Sequence, residues 1–578
     1  MLKESYLSRD FSIFGIDLLI FIIHARFLIL ILQFQDRTMQ SDTKFTLPAL
    51  FEASVKKHGP ENFLGFVGEP PLTYNEVNDK VQHVIALLKQ QGVEKGSKVA
   101  ILSTNMPNWG ISYLAITSLG AVAVPLLPDF HEDEISNILE HSGTQGIMVS
   151  EKQNEKIDRL DCRGLDFCIR LEDFSVIRSA GKEASAENAV VEDDDLAAII
   201  YTSGTTGKSK GVMLTHKNIC FNSLSARKIQ PVGTNDRMLS ILPLSHTYEN
   251  TLGFVVPMMG GATVYYIRQV PSPSILLSSM QEVRPTVMLS VPLILEKIFR
   301  LRVLPKLTKS AVMKRLYQVR PFQKLLHRAA GRKLIKSFGG KLVFFGVGGA
   351  KLDPVVEKFL RDARFPYAIG YGLTETSPLL AGTNARHTRY QSTGPAVHGV
   401  ELMIHNADPQ TRQGEIWARG PNLMKGYYRE PEMTAEVMDK EGWFKTGDLG
   451  AFDKRGYLYI KGRLKNMIVG SSGENIYPEE IESLINNFRH VVESVVVEQK
   501  GRLVALVHFN REELEARYHN LKDEISENID HKIDELCNEL HAYVNARVNK
   551  FSQLKAVVVH SEPFEKTATQ KIKRFMYS

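Results

Sequence analysis

The stretch "IIYTSGTTGKSKGVMLTH", Ile199–His216, decides how the rest of the chain is read. Its centre, Gly207-Lys208-Ser209, ends like a phosphate-binding P-loop, but a P-loop also needs a glycine five positions before its last one. Thr202 stands there. A P-loop also runs from a strand into a helix whose N-terminus holds the phosphates. Here Leu196–Tyr201 reads as one strand and the short apolar run Gly211–Leu214 as a returning one, so the loop is predicted to be the turn of a hairpin. It carries Thr202, Ser203, Gly204, Thr205, Thr206, Gly207, Lys208 and Ser209. Backbone N–H groups, hydroxyls and positive charge in that density suit an anion, and a polyphosphate is the natural guest.

Outward from the loop the chain alternates helix and strand. Tyr74–Gln91 places Val77, Val81, Val84 and Leu88 on one helical stripe, and Val99–Leu102 follows as a buried strand. Asn108–Leu119 and His131–His141 read as helices, and "AVAVPLL" and Gly146–Ser150 as strands. Thr286–Ser290 and Lys341–Ala350 repeat the style, the latter running into Asp353-Pro354, an N-cap with proline at the first helical position. Short apolar strands between helices predict an α/β fold with doubly wound parallel sheets. From Gly399 to Lys461 glycine turns separate alternating runs, as in a small β-rich region. From Leu464 the strands "SVVVEQ", "LVALVHF" and "AVVVH" and a helix over Glu513–Val548 suggest a separate, small α+β C-terminal domain. The expected division is 1–38 as an N-terminal extension, 39–463 as the large lobe and 464–578 as the small domain.

The chain has 578 residues, 43% hydrophobic and 24% charged, which is ordinary for a globular protein large enough for several lobes. Its net charge is only +6, yet Arg300–Lys341 holds thirteen Lys or Arg and no Asp or Glu. Pro321 is expected to divide that run into two short basic amphipathic helices, a pattern that lies on anionic membranes. Nothing in the composition calls for a nucleic-acid partner. Cys162, Cys168, Cys220 and Cys537 lack metal-ligand spacing and suit free thiols in a reducing, cytoplasmic setting. Phe11–Phe34 is long enough to span a bilayer, but Asp17, His24 and Arg26 interrupt it, and each charge at mid-membrane costs ~3 kcal/mol. A poor anchor, an interfacial segment and an extension outside the fold all stay open. The last is preferred, because Met39 begins a sequence like a normal cytosolic start.

Four further motifs follow the loop in order: "GYGLTETSP" (Gly370–Pro378), "GWFKTGDLG" (Gly442–Gly450), "KGRLKNMIVGSSGENIYPEEIE" (Lys461–Glu482) and "EKTATQKIKRF" (Glu565–Phe575). With the loop, they resemble the adenylate-forming superfamily of acyl-CoA synthetases, peptide-synthetase adenylation domains and luciferases. Five motifs in the right order make the resemblance specific. It implies activation of a carboxylate by ATP. The carboxylate attacks the α-phosphate, pyrophosphate leaves, and a thiol then displaces AMP. The first step gathers negative charges, so it needs cations and backbone donors rather than a nucleophilic side chain.

By this resemblance, Thr202–Lys208 holds the β- and γ-phosphates, and Thr202 and Glu375 form the Mg2+ site, a hard-cation set of hydroxyl and carboxylate oxygens. Tyr371 is similar to the residue that stacks on adenine. Gly349 and Ala350 match the turn beside the base, and Gly370, Gly372 and Thr374 flank the nucleotide. Asp448 and Arg463 match the ribose contacts, and a carboxylate can accept from both hydroxyls. Lys571 stands where the catalytic lysine is found, although the residue before it is Gln570 rather than the usual glycine. Lys465 matches the hinge on which the small domain rotates between half-reactions, and Gly473 the pantetheine path of coenzyme A. Val469 replaces a lysine common in relatives.

In "LPLSHTYENT", Leu242–Thr251, His246 resembles the histidine at the mouth of the acyl pocket, and this form of the motif is most like long-chain fatty acid–CoA ligases. The expected partners are ATP, a fatty acid and coenzyme A. Acyl carrier protein is the alternative thiol, because the basic run Arg300–Lys341 suits its acidic body. A fatty-acid-binding, membrane-associated protein without catalysis is the rival from another class.

Overall fold

The computed structural model describes residues 44–159, 164–181, 190–203, 209–269, 271–469, 475–499, 501–518, 525–567 and 572–577. Strand Leu196–Ser203 pairs antiparallel with Ser209–Thr215, with Thr202 opposite Lys210 and Ser203 opposite Ser209. The hairpin is therefore formed as expected. Thr215 ends the second strand and caps the helix His216–Ile229: its hydroxyl accepts from the Asn218 N–H, and the Asn218 side chain accepts from the Thr215 N–H.

The hairpin belongs to an eight-stranded sheet. Its order is Gly426–Tyr427, Ser209–Thr215, Leu196–Ser203, Val122–Leu126, Lys98–Leu102, Gly146–Val149, Phe167–Arg170, Val176–Ser179. The centre is parallel and both ends are antiparallel. A second sheet runs Tyr367–Ile369, Phe344–Val347, Val287–Ser290, Arg237–Leu239, Thr263–Tyr266, Asn62–Phe66, Leu72–Thr73, with only the last strand antiparallel. Helix Pro107–Ser118 packs against strands of both sheets and buries Trp109 and Tyr113 completely. Its apolar surface all round is what a helix between two layers requires. Helix Tyr74–Gln90 buries the predicted stripe of Val77, Val81, Val84 and Leu88, and Thr73 closes a capping box at its start.

The β-rich region is a four-stranded antiparallel sheet of Glu401–His405, Gly414–Arg419, Phe444–Phe452 and Leu458–Arg463. The C-terminal part has Val491–Gln499 and Arg502–Phe509 antiparallel, with Ala556–Val559 added in parallel. It has a core of its own that includes Ile481, Ile485, Leu536, Leu540 and Val544.

Three boundaries differ from expectation. The strand placed at Lys341–Ala350 is only Phe344–Val347, because Gly349 adopts a φ of 86° that takes the chain out of the ladder. The helix expected over Glu513–Val548 is described over Arg511–Tyr518 and Ile525–Asn545, with 519–524 outside the described residues, and it ends at Asn545 rather than Val548; the Asn545 side chain both donates to Leu554 O and accepts from Leu554 N, drawing the following chain back across the helix end. Pro321 does not divide the basic run. The break is at Val319, and Pro321 lies in the first turn of an 18-residue helix, Arg320–Ser337, where its missing N–H costs no bond. Among the described residues no helix is long and apolar enough to cross a membrane. The extension Met1–Thr38 lies outside the described residues, as does Cys162; Cys168, Cys220 and Cys537 are buried.

Candidate functional site

Register builds the first part of the site. Asp448 and Arg463 are direct partners on neighbouring antiparallel strands, and Arg463 Nε lies 2.9 Å from Asp448 Oδ1. Tyr371 donates its hydroxyl to Asp448 Oδ2 at 2.8 Å. The Asp448 charge holds the Arg463 guanidinium above its usual range, and burial, then the same carboxylate, push the Tyr371 phenol well up. Asp448 is thus buried with a cation and a hydroxyl already in place, and a carboxylate retains lone pairs for further donors. Three of the residues picked out from sequence meet here.

Tyr371 follows Gly370, whose N–H donates to Val347 O at 2.9 Å. The ends of strands Phe344–Val347 and Tyr367–Ile369 are therefore side by side, and Gly349–Ala350 follows closely on the first as Gly370–Tyr371 follows on the second. At Gly372 no side chain fits: a Cβ would stand 1.8 Å from Pro378 O. Thr374 and Glu375 continue in the short turn Thr374–Thr376.

Glu375 reaches the hairpin through a residue that sequence reasoning missed. Tyr427 donates its hydroxyl to Glu375 Oε1 at 2.9 Å, and its ring lies under the Lys210 ammonium, 5.0 Å from the centroid. Lys210 is the cross-strand partner of Thr202, and Gly426–Tyr427 pairs with the same hairpin strand. Thr202 and Glu375, far apart in sequence, are linked through Lys210 and Tyr427 across this edge pairing. Their hydroxyl and carboxylate oxygens fit a hard cation such as Mg2+. No cluster of three or more His, Cys, Asp or Glu suited to a metal occurs among the described residues. Residues 204–208 of the loop lie outside the described residues, and for Ser203 only the backbone is described.

His246 starts a helical segment: its Nδ1 accepts from Tyr248 N at 3.3 Å. The helix widens into a π-helical stretch over Glu249–Val255. Tyr248 packs toward the strand end, where Cβ atoms on Gly346 and Gly348 would stand 3.3 and 3.1 Å from it. In the sequence the only signal for Tyr248 is the pair of glycines, Gly346 and Gly348, that stand opposite it. Behind it, Glu249 is buried and its Oε1 accepts from Ser240 Oγ at 2.6 Å. Burial pushes its carboxyl up to about 8.

Lys465 is exposed in the turn Leu464–Asn466, directly after the strand that carries Arg463. Gly473 and Lys571 lie outside the described residues. Five positions before Lys571 in the sequence, Lys566 is committed to an ion pair with Glu493 at 2.5 Å and bridges to Ile572. The small domain touches the large lobe close to the glycine turn. Arg300 donates to Asn486 O, to Asn487 Oδ1 at 3.1 Å and to Asp353 Oδ2 at 3.3 Å, and Asn487 donates to the same Asp353 oxygen. Lys351 Nζ lies 3.9 Å from Glu480 Oε1, and burial lowers its ammonium from the usual range.

The model of the AMP-binding enzyme family matches residues 51–428. A chloroplastic long-chain-fatty-acid–[acyl-carrier-protein] ligase of Arabidopsis thaliana is 28% identical, over 83% of this chain and 78% of its own length. Long chain acyl-CoA synthetase 1 of the same plant is also 28% identical, over 89% of this chain and 87% of its own. The o-succinylbenzoate coenzyme A synthetase of Bacillus subtilis, solved with ATP and magnesium, superposes with a TM-score of 0.71 over 91% of this chain and 98% of that one, at 24% identity. The last is a likeness of fold.

Proposed function

The chain belongs to the AMP-binding enzyme family, and we propose that it activates a long-chain fatty acid with ATP and passes the acyl group to the thiol of coenzyme A. The observation that carries this reading is the Asp448 corner. A buried carboxylate is already oriented by Arg463 and Tyr371, and there a nucleoside can be held by its ribose. The long-chain acyl part draws on the "LPLSHTYENT" motif and on relatives named for long-chain fatty acids.

In the first half-reaction a carboxylate oxygen forms a bond to the α-phosphorus and pyrophosphate leaves. Asp448 and Arg463 fix the ribose, and the hairpin loop from Thr202 to Lys208 holds the departing phosphates. Glu375 and Thr202 would hold Mg2+, which supplies positive charge at phosphate oxygens. Lys571 bridges the acyl carboxylate and the α-phosphate as they approach. In the second half-reaction the thiol sulfur bonds to the acyl carbon and AMP leaves, after the small domain turns about Lys465 and presents the Gly473 loop to pantetheine.

Lys571→Ala is expected to slow fatty-acid-dependent pyrophosphate release by ~10²–10³-fold while thioester formation from supplied acyl adenylate is largely kept. Pyrophosphate release near the wild-type rate would remove Lys571 from this role. A panel of fatty acids offered with coenzyme A or acyl carrier protein identifies the acyl group and the acceptor. Turnover with carrier protein alone would replace coenzyme A in this reading.

A further inference from the structure

The basic run is anchored on one side only. Phe299 and Leu334 are buried in the core with Phe345 and Phe359, and His327, 2% exposed, is held between Tyr317 and Asp362 at 2.9 and 3.1 Å. Among the described residues the other side has no such cover. Leu301, Val312, Val319, Phe322 and Leu325 are 47–67% exposed, and helix Ala311–Gln318 buries none of its residues. Of the thirteen cations from Arg300 to Lys341, Arg300 pairs with Asp353 and Arg320 with Asp362; among the described residues the others have no acidic partner.

We propose that this face docks on an anionic lipid bilayer. Large apolar side chains stand exposed between cations of a single sign on two successive helices. That combination fits a surface with negative headgroups over an apolar interior, into which Phe322, Leu325 and Val312 can enter. Position supports the same partner. The helical run starts at Pro292, directly after Val291, and Val291 lies against Gly349 of the candidate site. A docked face would connect that wall to the phase into which long-chain acids partition. This use of the face rests on the fatty-acid reading, but vesicle binding is measured with no acyl substrate, so the two fail separately.

The test is co-sedimentation of the full chain with vesicles of phosphatidylcholine alone or mixed with phosphatidylserine. Wild type is expected to bind the mixed vesicles, less so as salt rises from about 0.1 to 1 M. Replacing Lys309, Lys314, Arg315, Lys324 and Lys333 with glutamine should weaken that binding at least tenfold, since each cation near the surface contributes roughly fivefold. Val312→Ser, Phe322→Ser and Leu325→Ser combined should weaken it with the charges intact. Both variants should melt near wild type and keep activity on a soluble acid. Binding equal to wild type in both variants overturns the proposal. So does binding that ignores phosphatidylserine. A charge variant with unchanged vesicle binding but a raised KM for acyl carrier protein also overturns it and makes the face a protein-docking site.

Discussion

Two carboxylates of the large lobe are buried almost equally, Asp448 at 5% and Glu249 at 1% exposure, and their surroundings are opposite. Asp448 has a guanidinium on one oxygen and a phenol on the other. Glu249 has one serine hydroxyl, and among the described residues its Oε2 has no hydrogen-bond partner. Burial alone penalises the charged form, and a cation at contact distance reverses the balance. The same residue class, equally hidden, thus serves as an oriented ionic acceptor in one place and as a neutral acid within the fold in the other.

The largest effect is expected at Asp448. Asp448→Asn removes the charge facing Arg463 and the strong acceptor for the ribose, and should lower kcat/KM for ATP by about 10²-fold, since hydrogen bonds to charged groups contribute ~1.5–3 kcal/mol each. Pyrophosphate release across an ATP titration measures it, and a near-normal value would mean that the corner is only structural.

Tyr371→Phe sharpens the contrast by leaving the ion pair and removing one donor. A rise in KM for ATP of about tenfold or less is expected, with kcat little changed. A fall in kcat as large as that of Asp448→Asn would show that the hydroxyl, and not the guanidinium, orders the carboxylate.

Glu249 gives the smallest effect and the one with a pH signature. Its carboxyl titrates near 8 in the fold against 4.5 when free. The stability tied to its protonated form is fully present below 4.5 and is lost as pH rises through about 8. Glu249→Gln should therefore leave the melting temperature nearly unchanged in acid and raise it relative to wild type above that range. Parallel melting curves from acid to alkaline pH would show that Glu249 is ionised and solvated, and the contrast with Asp448 would collapse.

Much of the site was legible because its local parts are local. The hairpin follows from two short apolar runs around a loop dense in glycine and hydroxyls, and the cap at Asp353-Pro354 from two adjacent residues. The Asp448–Arg463 pair was named as two ribose contacts from two motifs, but only strand register puts them opposite one another. The role of Glu249 is not legible in its motif, because nothing in a linear sequence tells a buried glutamate from an exposed one.

The sequence by itself determined the family, the order of strands and helices, and which residue types stand ready for phosphate, ribose and carboxylate. Those depend on composition and spacing within a few residues, where backbone preference and side-chain chemistry act directly. Tertiary structure alone decided the rest. It set Tyr427 against Glu375, 52 residues earlier, and Arg300 against Asn486, 186 residues later. It also chose which apolar residues of the basic run enter the core, Leu334, and which stay outside, Val312 and Leu325. Periodicity marks an apolar face, but whether that face meets a core or is left uncovered depends on the space other elements have already filled.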